Sequence, residues 1–219
     1  TFTTASGGGN ISFADGGTGE IDIDDDVQAT ATGGLLIRTN GNNIDIEAEL
    51  TGETGDNGSA AGLHNIDIAL NAGGGTIVLD SAGGSGVINN DIGTVDLTGA
   101  TITISDDIVT DGENINITGA LVLNATGAVL EISSGTGAGN IDFSSTINAT
   151  GDSDESLTIN SGTGTVVIDS HIGNTTAIHD LKINNTAGTG SITLSGNVGA
   201  DASTDGAAAV AIGNNDTAS

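Results

Sequence analysis

The chain has 219 residues, of which 37 are Gly and 3 are Phe, and it contains no Trp, Tyr, Met, Pro or Cys. Its formal charge is −27, from 29 acidic side chains against Arg38 and Lys182. That balance excludes a nucleic-acid surface built from basic residues, disfavours docking on anionic lipid, and favours a heavily hydrated exterior with cationic partners, metal ions first.

The composition also points away from a globular core filled with large aromatic side chains. Its apolar residues are Ile, Val, Leu and Ala, which suit a narrow, layered interior. The lack of Pro fits a chain in which nearly every residue donates to a neighbouring strand. High charge with few aromatics is a signature of disorder, but here the apolar residues fall at fixed spacing.

In chain order, one motif recurs: an apolar residue, any residue, another apolar residue. It stands at Ile11/Phe13, Ile21/Ile23, Leu35/Ile37, Ile44/Ile46, Ile66/Ile68, Ile77/Leu79, Val95/Leu97 and Ile102/Ile104. It continues at Ile115/Ile117, Leu121/Leu123, Leu130/Ile132, Ile141/Phe143, Leu157/Ile159, Val166/Ile168, Leu181/Ile183 and Ile192/Leu194. Period two predicts short strands with one face inward. Gly, Asn, Asp, Ser and Thr, the residues of turns, lie between them. No stretch carries a helical stripe.

Some doublets carry a third apolar residue four positions on: Ile21-Ile23-Val27, Ile44-Ile46-Leu50, Ile102-Ile104-Ile108, Ile141-Phe143-Ile147, Val166-Ile168-Ile172 and Ile192-Leu194-Val198. These are read as one strand class, A. Leu35-Ile37, Ile66-Ile68, Leu157-Ile159 and Leu181-Ile183 form a second, B, that follows it. Equivalent A positions lie 23 residues apart from Ile21 to Ile44, 25 from Ile141 to Val166 and 26 from Val166 to Ile192. The register from residue 77 to 132 stays open at this level.

A helix-free unit of 23–26 residues predicts one coil of an all-β parallel β-helix, a β-solenoid, with residues 1–219 forming a single rod. Roughly nine coils at about 4.8 Å each give a rod about 40 Å long. Val166-Ile168-Ile172 is then expected to stack on Ile192-Leu194-Val198, and Leu181-Ile183 on Ala208-Val210.

The A-to-B connections vary in length, which places insertions on one edge of a solenoid. That edge is expected to carry Glu53, Asp56, Asp111, Glu113, Asp152, Asp154, Glu155, Asp201 and Asp205. Carboxylate oxygens suit Ca²⁺, so Asp152, Asp154, Glu155, Asp111, Glu113, Asp201 and Asp205 are the candidate metal ligands, with Ca²⁺ the candidate ion. The spacing of "GDSDES" is not that of an EF-hand loop. "GGTGEIDID" is similar to a glycine-rich Ca²⁺ nonapeptide, with its Asp one place late. The alternative is a solvated, tolerant edge. Asp22, Asp24, Asp45, Glu47, Asp67, Asp142 and Asp169 alternate outward on the strands.

Catalytic chemistry finds little purchase. Arg38 and Lys182 are about six coils apart in this register. A paired-carboxylate glycosidase needs two acids in a cleft, usually with aromatic sugar platforms, and the chain has neither Trp nor Tyr. His64, His171 and His179 are scattered. There is no Cys nucleophile and no Gly-rich phosphate loop leading into a helix. The expectation is a non-enzymatic protein with no catalytic residues and no organic cofactor.

No apolar run approaches the ~18 residues of a spanning helix, and no signal peptide is evident. The start at "TFTTASGGG", without Met, suggests a processed protein or a piece of a longer one. The lines "NIDFSSTINATGDSDESLTINSGTGTVVIDSHIG" and "GSITLSGNVG" resemble the degenerate repeats of filamentous-haemagglutinin-type and other giant bacterial adhesins. The resemblance covers most of the chain, is clearest from Asn140 to Gly199, and rests on pattern without a diagnostic motif. It implies a right-handed parallel β-helix in a secreted or cell-surface protein, serving as a stalk or filament. Its partners would be neighbouring copies or adjoining repeats, and a host-surface or matrix glycan or protein, without nucleic acid or membrane insertion. The alternatives are a self-assembling fibre or surface-layer subunit stacking head to tail, a phage or virion fibre segment, and a polysaccharide-active β-helix enzyme.

Overall fold

The structure, a computed structural model, describes residues 2–4, 11–15, 19–23, 27–29, 33–39, 41–46, 50–52, 66–80, 88–90, 93–125, 127–150, 154–185, 190–199 and 209–214. Every described element is a strand, and every strand pairing is parallel. The strands stack in three faces, so the fold is a parallel β-solenoid.

The first face begins at Ile11–Asp15 and continues through Gly33–Thr39, Ile66–Asn71, the start of Val95–Ile104, the start of Ile115–Leu123, Ile141–Phe143, Val166–Ile168 and Ile192–Leu194. The second face runs through Ile21–Ile23, Ile44–Ile46, Thr76–Leu79, the ends of the two long strands, and Ile147–Ala149. Single bridges at Ile172 and Val198 then extend it. These two faces form one 12-stranded sheet because Val95–Ile104 and Ile115–Leu123 bend around the corner between them. The register shifts at that bend, between Thr98 and Thr101. A separate 9-stranded sheet, from Phe2–Thr4 to Ala209–Asn214, makes the third face. Nine strands at about 4.8 Å give a stack roughly 40 Å long.

Register makes the core. On the first face Ile68, Val95, Ile115, Ile141, Val166 and Ile192 are successive partners, and beside them run Leu70, Leu97, Ile117, Phe143, Ile168 and Leu194. On the second face Ile44, Ile77, Ile102, Leu121, Ile147, Ile172 and Val198 align. On the third, Ile88, Ile108, Ile132, Ile159, Ile183 and Ile212 align. These side chains are buried as far as Val166, Ile168, Ile172 and Ile183, while Ile192, Leu194 and Val198 are partly buried and Ile212 is exposed. Branched aliphatic residues repeat in each column because a 4.8 Å step brings like side chains into van der Waals contact along the axis.

Coil length on the first face runs from 20 residues, Val95 to Ile115, to 33, Leu35 to Ile68, with 24–27 elsewhere. The long coil contains residues 53–65, between Leu50–Gly52 and Ile66–Asn71.

Val166, Ile168 and Ile172 do stack on Ile192, Leu194 and Val198. Two registers differ from expectation. Leu181 and Ile183 pair with Val210 and Ile212, one doublet beyond Ala208-Val210. Leu35 and Ile37 pair with Ile68 and Leu70, so the doublet that stacks on them is Ile68/Leu70 and not Ile66/Ile68. In both places an extended apolar alternation offers two in-phase registers, and pairing with the neighbouring coil selects between them.

The A and B classes also separate. Ile21-Ile23-Val27 crosses from the second face to the third, whereas Ile141-Phe143-Ile147 crosses from the first to the second. Three residues separate the strands in each case, so two different corners carry one sequence pattern.

Candidate functional site: the acidic corners

The phase change divides the expected acidic edge. Asp111 and Glu113 follow Ile108–Thr110 and lie at the corner between the third and first faces. Asp154 and Glu155 lie between Ile147–Ala149 and Ser156–Asn160, at the corner between the second and third faces. They therefore do not share an edge. Asp152, Asp201 and Asp205, with Glu53 and Asp56, lie outside the described residues. Among the described residues there is no group of three or more His, Asp or Glu side chains arranged to hold a metal ion.

The third-to-first corner is built by hydroxyls and glycines. Thr110, Ser134 and Ser161 occupy the same register position on three successive coils, one residue beyond the paired Val109, Ser133 and Asn160. All three are buried. Each donates to a carbonyl of its own turn: Thr110 Oγ1 to Glu113 at 2.8 Å, Ser134 Oγ to Gly139 at 2.8 Å, and Ser161 Oγ to Gly164 at 3.2 Å. Next to them Asn114 Oδ1 accepts from the Asn140 amide, and Asn140 Oδ1 accepts from the amide and hydroxyl of Thr165. The exposed Asp111 and half-buried Glu113 sit on this closed frame.

The second-to-third corner varies in length, as does the third-to-first corner, which carries the thirteen residues between Gly52 and Ile66. At the second-to-third corner the flanking described positions are separated in sequence by three residues after Ile23, five after Leu123, six after Ala149, seven after Ile172 and ten after Val198. Its side chains form a polar chain along the axis. Asn124 Nδ2 donates to Ser105 Oγ at 3.4 Å, and Thr150 Oγ1 lies 3.4 Å from Asn124 Oδ1. Thr150 Oγ1 also donates to Glu155 Oε1, and the Thr150 amide donates to the same oxygen at 3.3 Å. Glu155 is only 1% exposed, and its Oε2 has no hydrogen-bond partner among the described residues. The next coil closes over it: the His179 amide donates to the Glu155 carbonyl at 2.8 Å, and Ala177 and Ile178 are buried beside it.

Two other carboxyls are perturbed. Burial raises Asp107 above its ordinary value, with the Asp106 charge adding to this and a 2.7 Å hydrogen bond from the Glu131 amide opposing it. Burial, followed by the charge of Asp169, raises Asp142. Asp142 stacks next to Asn116, whose Nδ2 donates to Asp96 at 2.6 Å.

The histidines are separate. His171 Nδ1 accepts from the Asn197 amide at 2.9 Å, and His179 Nδ1 lies 3.4 Å from the Asp180 carboxylate. His64 lies outside the described residues. Arg38 and Lys182 are exposed on the first and third faces, on strands well separated along the stack. The apolar pattern did not single out Asn124, Thr150 or the hydroxyl column. A signal for the column exists: a Ser or Thr two residues after the last inward Ile of the third face, at Ile108/Thr110, Ile132/Ser134 and Ile159/Ser161.

No protein-family model, curated protein sequence or solved structure matches the chain. No helix among the described residues is long and apolar enough to cross a membrane.

Proposed function

We propose that the chain is a non-enzymatic structural solenoid, serving as the stalk or filament of an extracellular, bacterial-type surface protein with an adhesive role. The carrying observation is the set of apolar columns, with no acid in them, that keep one register from coil to coil. Each coil is then held by its neighbours, and the rod acts as a spacer whose length is set by coil number. The histidines, the two cationic residues and the perturbed acids lie on different faces and coils, which supports a scaffold over a polysaccharide-active enzyme. Small-angle scattering with electron microscopy tests the reading. Isolated rods agree with a stalk, and defined trimers would favour a phage-type fibre. A glycan array, with and without Ca²⁺, tests the adhesive role.

A second reading, head-to-tail assembly into a fibre, is favoured by one observation. Val210 and Ile212 are 47% and 45% exposed, although they continue the columns in which Leu181 and Ile183 are buried. A ladder with apolar inward residues takes a further strand, from an adjoining repeat or from another copy. Long unbranched fibres from the purified chain would select this reading.

A further inference from the structure

The geometry points to a Ca²⁺-binding site at the second-to-third corner, formed by Glu155, Thr150 and Asn124. It stands on the surroundings of Glu155 and is independent of the stalk reading.

Three oxygens from two coils converge there. Glu155 Oε1 and Asn124 Oδ1 both lie within hydrogen-bonding reach of Thr150 Oγ1. The 3.4 Å contact of Asn124 Nδ2 with Ser105 turns the amide so that its oxygen faces Thr150. Backbone bonds fix both residues, the Asn124 amide to the Ile104 carbonyl and the Thr150 amide to the Leu123 carbonyl. These are hard oxygen donors, one of them a carboxylate.

The second, independent observation is the state of the carboxylate. Glu155 is buried, yet Oε2 has no partner among the described residues. A buried carboxylate with an unsatisfied oxygen is costly unless a cation or further donors reach it. Among the described residues no cationic side chain is paired with it. Arg38 is exposed on the first face, Lys182 is exposed on the third-face strand opposite Thr158, and the imidazole of His179, whose amide bonds the Glu155 carbonyl, sits against Asp180. Asp154, adjacent in sequence, adds negative charge. A Ca²⁺ ion would take Oε2 as a ligand and neutralise the group, with water completing its coordination on the exposed Asn124 side.

The test uses the full 219-residue chain. Thermal unfolding is followed by circular dichroism in EDTA and in millimolar CaCl₂, both at about 150 mM NaCl so that general screening is constant. Wild type is compared with Glu155→Gln, Thr150→Val and, as an exposed-acid control, Asp169→Asn. Ca²⁺ is expected to raise the wild-type and Asp169→Asn midpoints by about 3 °C, and to leave Glu155→Gln unchanged. Equal shifts in wild type and Glu155→Gln would mean screening of the acidic surface and overturn the site. No shift in wild type would mean that a buried water satisfies Oε2, and would overturn the site as well. Should Glu155→Gln not fold, the luminescence lifetime of directly excited Eu³⁺ on the wild-type chain decides. Loss of coordinated water at one equivalent, reversed by Ca²⁺, supports the site, and a lifetime equal to that of the free ion overturns it.

Discussion

Gly164 packs so closely on Gly139 that a Cβ added to it would fall 2.0 Å from the Gly139 carbonyl oxygen. Gly190 repeats the relationship on Gly164 at 1.8 Å, and Gly139 stands in the same way over Glu113, at 2.2 Å. The obstructing atoms are backbone and belong to the neighbouring coil, so relief would require the coils to part. Gly164→Ala is expected to cost about 3 kcal/mol in urea denaturation. Gly74→Ala, with no atom within 4 Å of the new methyl group, should stay within about 0.5 kcal/mol of wild type. Equal effects from the two would remove the steric account of this corner.

Position along the stack should set the value of a core residue. Ile168 and Leu194 are direct partners, but Ile168 is fully buried and Leu194 only partly so. Ile168→Ala is expected to lose about 3 kcal/mol, and Leu194→Ala roughly half as much or less. Chemical denaturation of both variants would check the order; a larger loss at Leu194 would contradict it.

The hydroxyl column gives a third prediction. Ser134→Ala removes a buried donor from the Gly139 carbonyl and should destabilise by about 1–2 kcal/mol. Ser134→Thr should stay close to wild type, because Thr110 fills the same position one coil away with the same kind of bond. A Thr variant as unstable as the Ala variant would show that volume, not hydrogen bonding, governs the site.

Asp107 and Asp142 predict an unusual dependence on acid. Both hold their protons to higher pH in the fold than at the ordinary value of 3.8. Between the raised folded value and 3.8 the native state binds protons that the unfolded chain does not, so the contribution of these groups to stability increases as pH falls. Their destabilisation is present in full at neutral pH. Asp142→Asn should therefore raise the melting temperature at pH 7, corresponding to about 0.5 kcal/mol, and the advantage should vanish by about pH 4. An Asn variant with a constant offset at every pH would show that charge is not the cause.

Much of the fold could be read from the apolar doublets, because a two-residue alternation separated by turn residues has few solutions once helices and aromatics are absent. What the pattern could not supply was phase. Phe143 to Ile147 and Ile23 to Val27 leave the same three-residue gap, yet one turns between the first and second faces and the other between the second and third. Only pairing across coils tells them apart, and with the phase went the expectation of a single acidic edge. The acids themselves were found because the chain is full of them. The distinction between Glu155 and Asp111 was hidden, because it depends on residues 173–179 of the next coil closing over one and not the other.

The shared register has a consequence for how such a chain changes over generations. Ile141 and Val166 hold the same place one coil apart, 25 residues on. Recombination between the segments encoding them would delete or duplicate a whole coil while joining equivalent positions. The product would keep its columns, its glycine corners and its hydroxyls, and would differ only in length. Reach is then a quantity that unequal crossing-over can adjust in steps of about 4.8 Å, without any new interface having to arise.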